Sequence, residues 1–418
     1  MENRYDKYKD SGIAWIGEIP EHWDTYQLKR CSKFINGYAF NSNHFNKDKG
    51  IPVIRIGDIL NEQISFENIV YVQENNELEK FMAHKNDILI AMSGATVGKI
   101  GIYSTEDKVY INQRVGIIRT IQYNFIKRMF TTNGFVDYVN LSSAGSAQPN
   151  ISSEEILNFY IPAPSIKEQQ LIATYLDQKC SEIDELITMQ EEMITKLQNY
   201  KQSVITEAVT KGLDKNVPLK DSGIEWIGEI PEHWEVKRLK NVCSQINIKE
   251  NSKENSLPYI GLENIESGSG RYINTTSEVE GMANRFCKNN VLFGKLRPYL
   301  SKVYLAEKDG ICSTEFIVYD TKSNNCRFIH KLLLSQAFIE VVNSSTYGAK
   351  MPRANSDFIN NIYVQIPPLS EQQSIADYLD QKCSEIDELI SIKQQKIEKL
   401  KDYKKSLIFE CVTGKRKV

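Results

Sequence analysis

The segment Gly94-Ala-Thr-Val-Gly98-Lys99-Ile100 is the closest this sequence comes to a recognisable reactive motif. A phosphate-binding loop needs four residues between its glycines, and a serine or threonine after the lysine to hold magnesium. Here three residues separate the glycines and isoleucine follows the lysine, so the loop lacks both its span and its metal hydroxyl. Glu-x-Lys, a spacing found in nuclease sites, occurs at Glu106-Asp-Lys108 and Glu235-Val-Lys237, at unrelated places in the chain. The histidines at 22, 44, 84, 233 and 330 show no metal-ligand spacing. His22 and His233 each precede a tryptophan and suit a packed or capping role. There is no Gly-x-Gly-x-x-Gly loop, and no Asp/Asn-Pro-Pro-Tyr/Phe segment of the kind that amino-methyltransferases use to hold a target amine. These residue types predict a chain without catalytic groups of its own.

Composition is compatible with that reading. A chain of 418 residues suits two or more domains, and 41% hydrophobic with 25% charged residues is a folded composition. The net charge of −3 means that any nucleic-acid surface must be local or shared with a partner. The eight cysteines form no Cys-x-x-Cys pair, and MENRYDKYKD lacks a signal-peptide core. Reduced thiols and a cytoplasmic location are therefore expected.

The elements that must position any site are organised by an internal repeat. KDSGIAWIGEIPEHW at 9–23 returns as KDSGIEWIGEIPEHW at 220–234, an offset of 211. YLDQKCSEIDELI at 175–187 returns letter for letter at 378–390, an offset of 203. The second offset can be followed backward, ungapped, through Lys99/Lys302 to Ile88/Val291, which places the eight-residue difference between Trp23 and Ile88. Two units with near-identical ends and diverged middles mean one job done twice with two specificities, or one scaffold holding two drifted domains; the first is favoured, because drift alone would not leave the ends so alike.

Each unit ends in a heptad-patterned segment. Leu176, Cys180, Ile183, Ile187, Ile194, Leu197, Val204 and Ala208 recur at 3.5-residue spacing. So do Leu379, Cys383, Ile386, Ile390, Ile397, Leu400, Leu407 and Cys411. Gln190, Lys201, Lys393 and Lys404 are polar seam positions, which trade stability for register. About 43 helical residues would span roughly 60–65 Å. Connectivity predicts an antiparallel pair with a domain at each end and the termini close together. The diverged middles read as mixed α/β: IPVIRI, DILIAM, GIIRTI, NVLF and EFIVY as strands, FIKRMFTTNGFVDYV and RFIHKLLLSQAFIEVV as amphipathic helices.

W-I-G-x-I-P-x-H-W opens each half; GATVGK or GKLRPYLSK follows a short apolar run; a Pro-rich turn with Glu-Gln-Gln leads into each long helix. In this duplicated order the chain resembles the specificity subunit of type I restriction–modification systems over essentially its whole length. The resemblance implies an α+β fold of two mixed α/β target-recognition domains, 1–165 and 213–368. A long antiparallel two-helix coiled coil, 166–212 and 369–418, would join them. It implies a non-catalytic subunit that binds double-stranded DNA at a bipartite, asymmetric site. The chain would scaffold two methyltransferase subunits and the restriction/translocase subunits. S-adenosylmethionine, ATP and magnesium would be used by those partners, and no cofactor by this chain. A stand-alone nuclease with two recognition domains, and a scaffold that binds no DNA, remain the alternatives.

At offset 203, Gly145-Ser-Ala-Gln148-Pro149-Asn150 aligns with Gly348-Ala-Lys350-Met-Pro352-Arg353. The shared glycine and proline set backbone shape, and the side chains between them are types that hydrogen-bond bases, although an ordinary polar turn has the same composition. Gln148 and Asn150 match the edge of adenine, and Lys350 and Arg353 that of guanine. Arg297, with no counterpart in unit one, could read a guanine or pair with a carboxylate. Lys99 and Lys302 suit phosphate contacts or plain surface.

Overall fold

The computed structural model describes residues 4–60, 62–143, 149–252, 256–275, 281–348 and 350–418. The chain forms two compact units, one made of Met1–Met189 with Lys396–Val418, the other of Gln190–Gln395. The first unit is therefore discontinuous in sequence, and each long helix gives one of its halves to each unit.

In the first unit, Ile88–Ala91 lies between Ile100–Ile102 and Val115–Arg119, and Lys33–Asn36 completes an antiparallel sheet. Ile88-Leu-Ile-Ala91 reads as an unbroken apolar run because both faces of this strand are covered. Ile88, Ile90 and Ile118 pack under a helical layer with Phe125, Ile126, Met129 and Leu176. Leu89, Ala91, Val115 and Ile117 instead face Val109, Ile111 and Ile54 of a second sheet. The second unit repeats the plan. Val291–Gly294 sits between Val303–Leu305 and Phe316–Asp320, with Ser244–Ile246 at the edge. Val291 and Phe293 face the helices, while Leu292 faces Phe286 and Cys312.

The two second sheets differ at their edges. In the first unit Val70–Val72 is added beside Ile51–Ile54. In the second, Lys249–Asn251 is added beside Met282–Phe286, on the other side of the shared parallel pair. This rearranged edge falls in the stretch that carries the eight-residue difference. The ungapped correspondence is corrected by the strand pairing. Ile90 pairs with Gly116 and Phe293 with Ile317, so Val115–Arg119 matches Phe316–Asp320 at an offset of 201. The helix Tyr123–Met129 matches the start of Cys326–Leu334 at 203 again. Two compensating two-residue shifts, one in the loop before Val109–Ile111 and one after Val115–Arg119, leave a letter-wise comparison undisturbed at its ends. Each predicted amphipathic segment is also two helices rather than one. Thr132, whose Oγ accepts from Phe135 N–H, starts Asn133–Ser142, and Ser335 separates Cys326–Leu334 from Gln336–Ser344.

The first long helix runs Ile166–Lys211 and the second Leu369–Val412. All sixteen heptad positions named above are buried or half-buried. In the first unit Ile172, Leu176, Cys180 and Ile183 share a core with Leu407, Ile408, Cys411 and Val412. In the second, Val204, Ile205, Ala208 and Val209 share one with Ile375, Ala376, Leu379 and Cys383. The start of one helix thus meets the end of the other in each unit, which is the antiparallel coiled-coil arrangement.

The repeated tryptophan block fastens each helix start. Trp23 is fully buried, and its indole N–H donates to Glu168 Oε1 at 3.1 Å while His22 Nε2 lies 2.8 Å from the same oxygen. Ser165 closes a capping box with Glu168. Trp234 donates to Glu371 Oε2 at 3.0 Å, with His233 Nε2 2.6 Å from Glu371 Oε1. The following glutamine turns back in both copies, Gln169 and Gln372 donating to the carbonyls of Pro164 and Pro367. Both histidines therefore pack against helix starts. Residues beyond the second helix return to the first unit: Tyr8 Oη donates to Gly414 O at 3.1 Å, and the Lys415 ammonium to Ile16 O.

Two seam lysines form matching ion pairs of unequal burial. Lys201 Nζ is 2.8 Å from both oxygens of Asp387 in the second unit. Lys404 Nζ is 2.7 Å from Asp184 in the first. The Lys201 and Asp387 side chains are 9% and 25% exposed, against 23% and 56% for Lys404 and Asp184. Stranding a buried charge costs far more than opening a surface pair. Asp387→Ala is expected to lower stability by about 2–4 kcal/mol, and Asp184→Ala by about 1 kcal/mol or less, in urea unfolding. Equal losses would show that burial does not separate the two pairs.

Acid acts on the two units at different pH. His330 is fully buried with Nε2 3.1 Å from Val303 O, and burial, with Lys331 beside it, lowers its pKa to about 4. Burial pushes Glu168 up, but hydrogen bonds from His22, Ser165 and Trp23 outweigh it and bring the carboxyl down to about 2. Both folded pKa values lie below their unfolded values. The His330 contribution is therefore complete above about pH 6.5 and lost as pH falls towards 4, while that of Glu168 is lost only below about 4.5. Stability is expected to decline by about 2 kcal/mol between pH 7 and 5, and His330→Leu to flatten that decline. An unchanged slope in the variant, followed by urea titration at each pH, would assign the decline to other groups.

Candidate nucleic-acid interface

Three backbone segments meet along one edge of each central sheet. In the first unit Gly94 N–H donates to Pro149 O at 2.9 Å, Ile151 N–H to Met92 O at 2.9 Å, and Met92 N–H to Arg114 O at 2.9 Å. In the second, Arg297 N–H donates to Pro352 O at 2.7 Å, Ala354 N–H to Lys295 O at 3.0 Å, and Lys295 N–H to Glu315 O at 2.9 Å. Single bridges, Ser93 with Asn150 and Leu296 with Arg353, occupy the same place. The backbone frame is therefore common to the two units, and the side chains it presents are not.

Asn150 is exposed beside Ser93, Gln113 and Arg114. Gln148 lies outside the described residues. Arg353 is held by an ion pair to Glu315, and its backbone pairs with Tyr347. Lys350 is exposed, and its carbonyl accepts from Arg297 Nη2 at 3.4 Å. Arg297, Lys350 and Arg353 thus gather at one edge. Arg297 takes φ 50°, ψ 60°, a left-handed conformation where the first unit has Gly94 at φ 78°. Its side chain folds back on the 350–352 turn and its Nε finds no partner among the described residues.

Lys99 and Lys302 do not join these edges. Lys99 is exposed on a concavity of about 530 Å³ with Phe130, Phe135, Val139 and Lys404. Lys302 is half-buried, and its ammonium donates to Leu262 O at 2.7 Å, so the matched lysines face different surroundings.

Among the residues of the two edges that escaped the sequence reading are Gln113, Arg114 and Glu315. The offset of 203 pairs Arg114 with Ile317, whereas the hydrogen bonds pair it with Glu315, an inversion of charge. In the second unit Glu315 lies among Arg353, Lys295 and Lys249; burial lowers the Lys295 pKa, with Glu315 opposing that shift. Cations and amides of this kind match the donor and acceptor edges of bases in a major groove. Among the described residues no helix is long and apolar enough to cross a membrane.

A family model described as the type I restriction modification DNA specificity domain matches residues 20–196 and again 231–402. A type I restriction enzyme MjaVIII specificity subunit of Methanocaldococcus jannaschii is 23% identical, with 96% of this chain and 94% of that protein covered. The EcoBI specificity subunit of Escherichia coli is 22% identical over 97% of this chain and 88% of its own length. Among solved structures, a chain from a type I R-M system studied for complex assembly and conformational transition superposes with a TM-score of 0.71 at 14% identity, covering 94% of this chain and 98% of that one. The HsdS subunit from Thermoanaerobacter tengcongensis gives 0.52 at 15% identity, with 95% and 98% covered. These last two likenesses show the fold.

The left-handed position offers a paired test. A Cβ at Gly94 meets the backbone penalty that Arg297 already carries, and removing the arginine side chain costs only one long hydrogen bond. Gly94→Ala is expected to lower stability by about 1–2 kcal/mol, and Arg297→Gly to leave it within about 1 kcal/mol, read from thermal unfolding. Similar losses in both variants would show that backbone conformation is not what distinguishes the turns.

Proposed function

The chain belongs to the type I restriction–modification DNA specificity family, and from that premise we propose how it selects its target. It is a specificity subunit and not the catalytic one. Residues 1–165 and 213–368 act as the two target-recognition domains, with 166–212 and 369–418 as the spacer helices. Each domain presents its edge of polar side chains to double-stranded DNA, and each reads one half of a bipartite, asymmetric site. The observation that carries this reading is the pair of equivalent edges, with the same backbone hydrogen bonds under different side chains. Fixed carbonyl and amide positions hold the frame, so changing a side chain changes the base read without rebuilding the fold.

Two methyltransferase subunits carrying S-adenosylmethionine supply adenine methylation, and translocase/nuclease subunits using ATP and magnesium supply cleavage. Those partners contribute much of the DNA-backbone contact, which suits a chain of net charge −3. The complex works in the cytoplasm, where its eight unpaired cysteines stay reduced.

Methyl transfer and cleavage are measured with the purified chain, DNA, S-adenosylmethionine, ATP and magnesium, without and with its methyltransferase subunits. The expected result is no turnover by the chain alone and methylation at two unlike half-sites around a spacer when the partners are added. Methylome sequencing of cells with and without the chain identifies the site. Turnover by the isolated chain, or a methylome unchanged by its loss, would overturn the reading.

A further inference from the structure

The turn Asn112-Gln113-Arg114 joins Val109–Ile111 to Val115–Arg119 and projects from the first unit beside Asn150. It is held rigidly. Asn112 N–H donates to Ile54 O at 2.9 Å and Val115 N–H to Asn112 O at 2.8 Å. Gly37 lies so close that a Cβ there would sit 2.1 Å from the Asn112 carbonyl oxygen. Gln113 and Arg114 are both exposed on this frame, and among the described residues Arg114 makes no ion pair. With Asn150 and Ser93 they line a shallow concavity of about 360 Å³. Ser93 is 8% exposed, and its covered Oγ has no hydrogen-bond partner among the described residues. Among the described residues the site thus holds a guanidinium without an ion pair, two amides and an unpartnered hydroxyl, on a closely hydrogen-bonded backbone.

At the equivalent edge of the second unit the residue in the place of Arg114 is already paired, Glu315 with Arg353. Leu296 stands where Ser93 does, Glu315 where Arg114 does, and Arg353 where Asn150 does, with the arginine neutralised by the glutamate. An unpaired arginine on a rigid turn, flanked by amides, is what bidentate recognition of guanine O6 and N7 requires, with adenine's edge left to the amides.

We propose that Arg114 is a specificity-determining residue of the first unit, reading a guanine in the major groove of duplex DNA, with Gln113 and Asn150 contacting the neighbouring base pair. This rests on the target-selection reading above. Arg114 supplies two parallel N–H donors, and the pinned turn removes the backbone share of the ordering cost, leaving only that of the side chain. The charge inversion at position 315 gives the second unit a different preference from the same frame.

The test uses the assembled methyltransferase complex and the site found by methylome sequencing, with each base pair of both half-sites varied singly. Binding is followed by fluorescence anisotropy at two salt concentrations, and thermal unfolding confirms that each variant is folded. Arg114→Ala is expected to weaken binding to the native site roughly 5- to 150-fold and to relax preference at one guanine of one half-site, leaving the other half-site unchanged. Arg114→Lys should keep the salt dependence yet lose most of that preference, because an ammonium is not a planar fork. Gln113→Ala should relax an adjacent position, and gives a second readout where an Arg114 variant fails to assemble. Wild-type preference in all three variants, or full recovery of preference by lysine, would make Arg114 surface or a phosphate contact and overturn the proposal alone. A wild-type complex that binds all sequences equally would instead overturn the target-selection reading on which it stands.

Discussion

The hydrogen bond from a buried indole to a glutamate in the first turn of a long helix is the constraint on which both units depend. Trp23 reaches Glu168 and Trp234 reaches Glu371, each across more than 130 residues of chain. The tryptophan brings the largest apolar side chain into the core, and its N–H needs an acceptor there. The glutamate needs donors at a place where the helix offers free N–H groups. Each satisfies the other, so the angle between the opening block and its helix is set. In the first unit Trp23 shares its core with Ile88 and Ile118 of the sheet and with Phe125 and Leu176 of the helical layer, so the joint and the rest of the unit pack as one. This also gives a physical reason for the near-identity of the two blocks: a pairing of this kind tolerates little variation in either partner.

Above that base the structure separates frame from content. The same three backbone segments meet in each unit with the same hydrogen bonds, and the adjoining turn keeps its left-handed positions even where Gly94 and Gly98 give way to Arg297 and Ser301. A main chain satisfied by its own kind has no need of particular side chains at 93, 114 and 150, or at 296, 315 and 353. Those positions are free to differ, and they do: serine against leucine, arginine against glutamate, asparagine against arginine. The polar helix seam obeys the opposite logic. Lys201 and Lys404 keep matching aspartates, and for the buried Lys201 the loss of its partner would strand a charge.

Much of this was legible in the letters. The heptads named every seam position correctly because helical periodicity is a local signal. The strands DILIAM and EFIVY declared themselves as apolar runs covered on both faces. The placement of His22 and His233 against helix starts also followed from their tryptophan neighbours. The polar edge of each unit was only half legible. The alignment placed Asn150 and Arg353 at equivalent positions, but two compensating two-residue shifts hid the correspondence of Arg114 with Glu315. Such shifts lie in loops, where length can change without disturbing either flank. The inward turn of Lys302 depends on a carbonyl 40 residues earlier, at Leu262, and no local pattern encodes it. The splitting of each amphipathic segment at Thr132 and Ser335 was likewise outvoted by the apolar residues on either side.

The discontinuity of the first unit has a consequence for the order in which the protein is made. Gln190–Gln395 is one unbroken stretch and has all its parts once residue 395 has left the ribosome. The first unit begins earlier but lacks Leu407, Ile408, Cys411 and Val412 until the last stretch emerges. During translation Leu176, Cys180 and Ile183 therefore wait with part of their apolar contacts unmade, although their domain was synthesised first. The unit begun first is thus the one that closes only when the very last stretch of chain is in place.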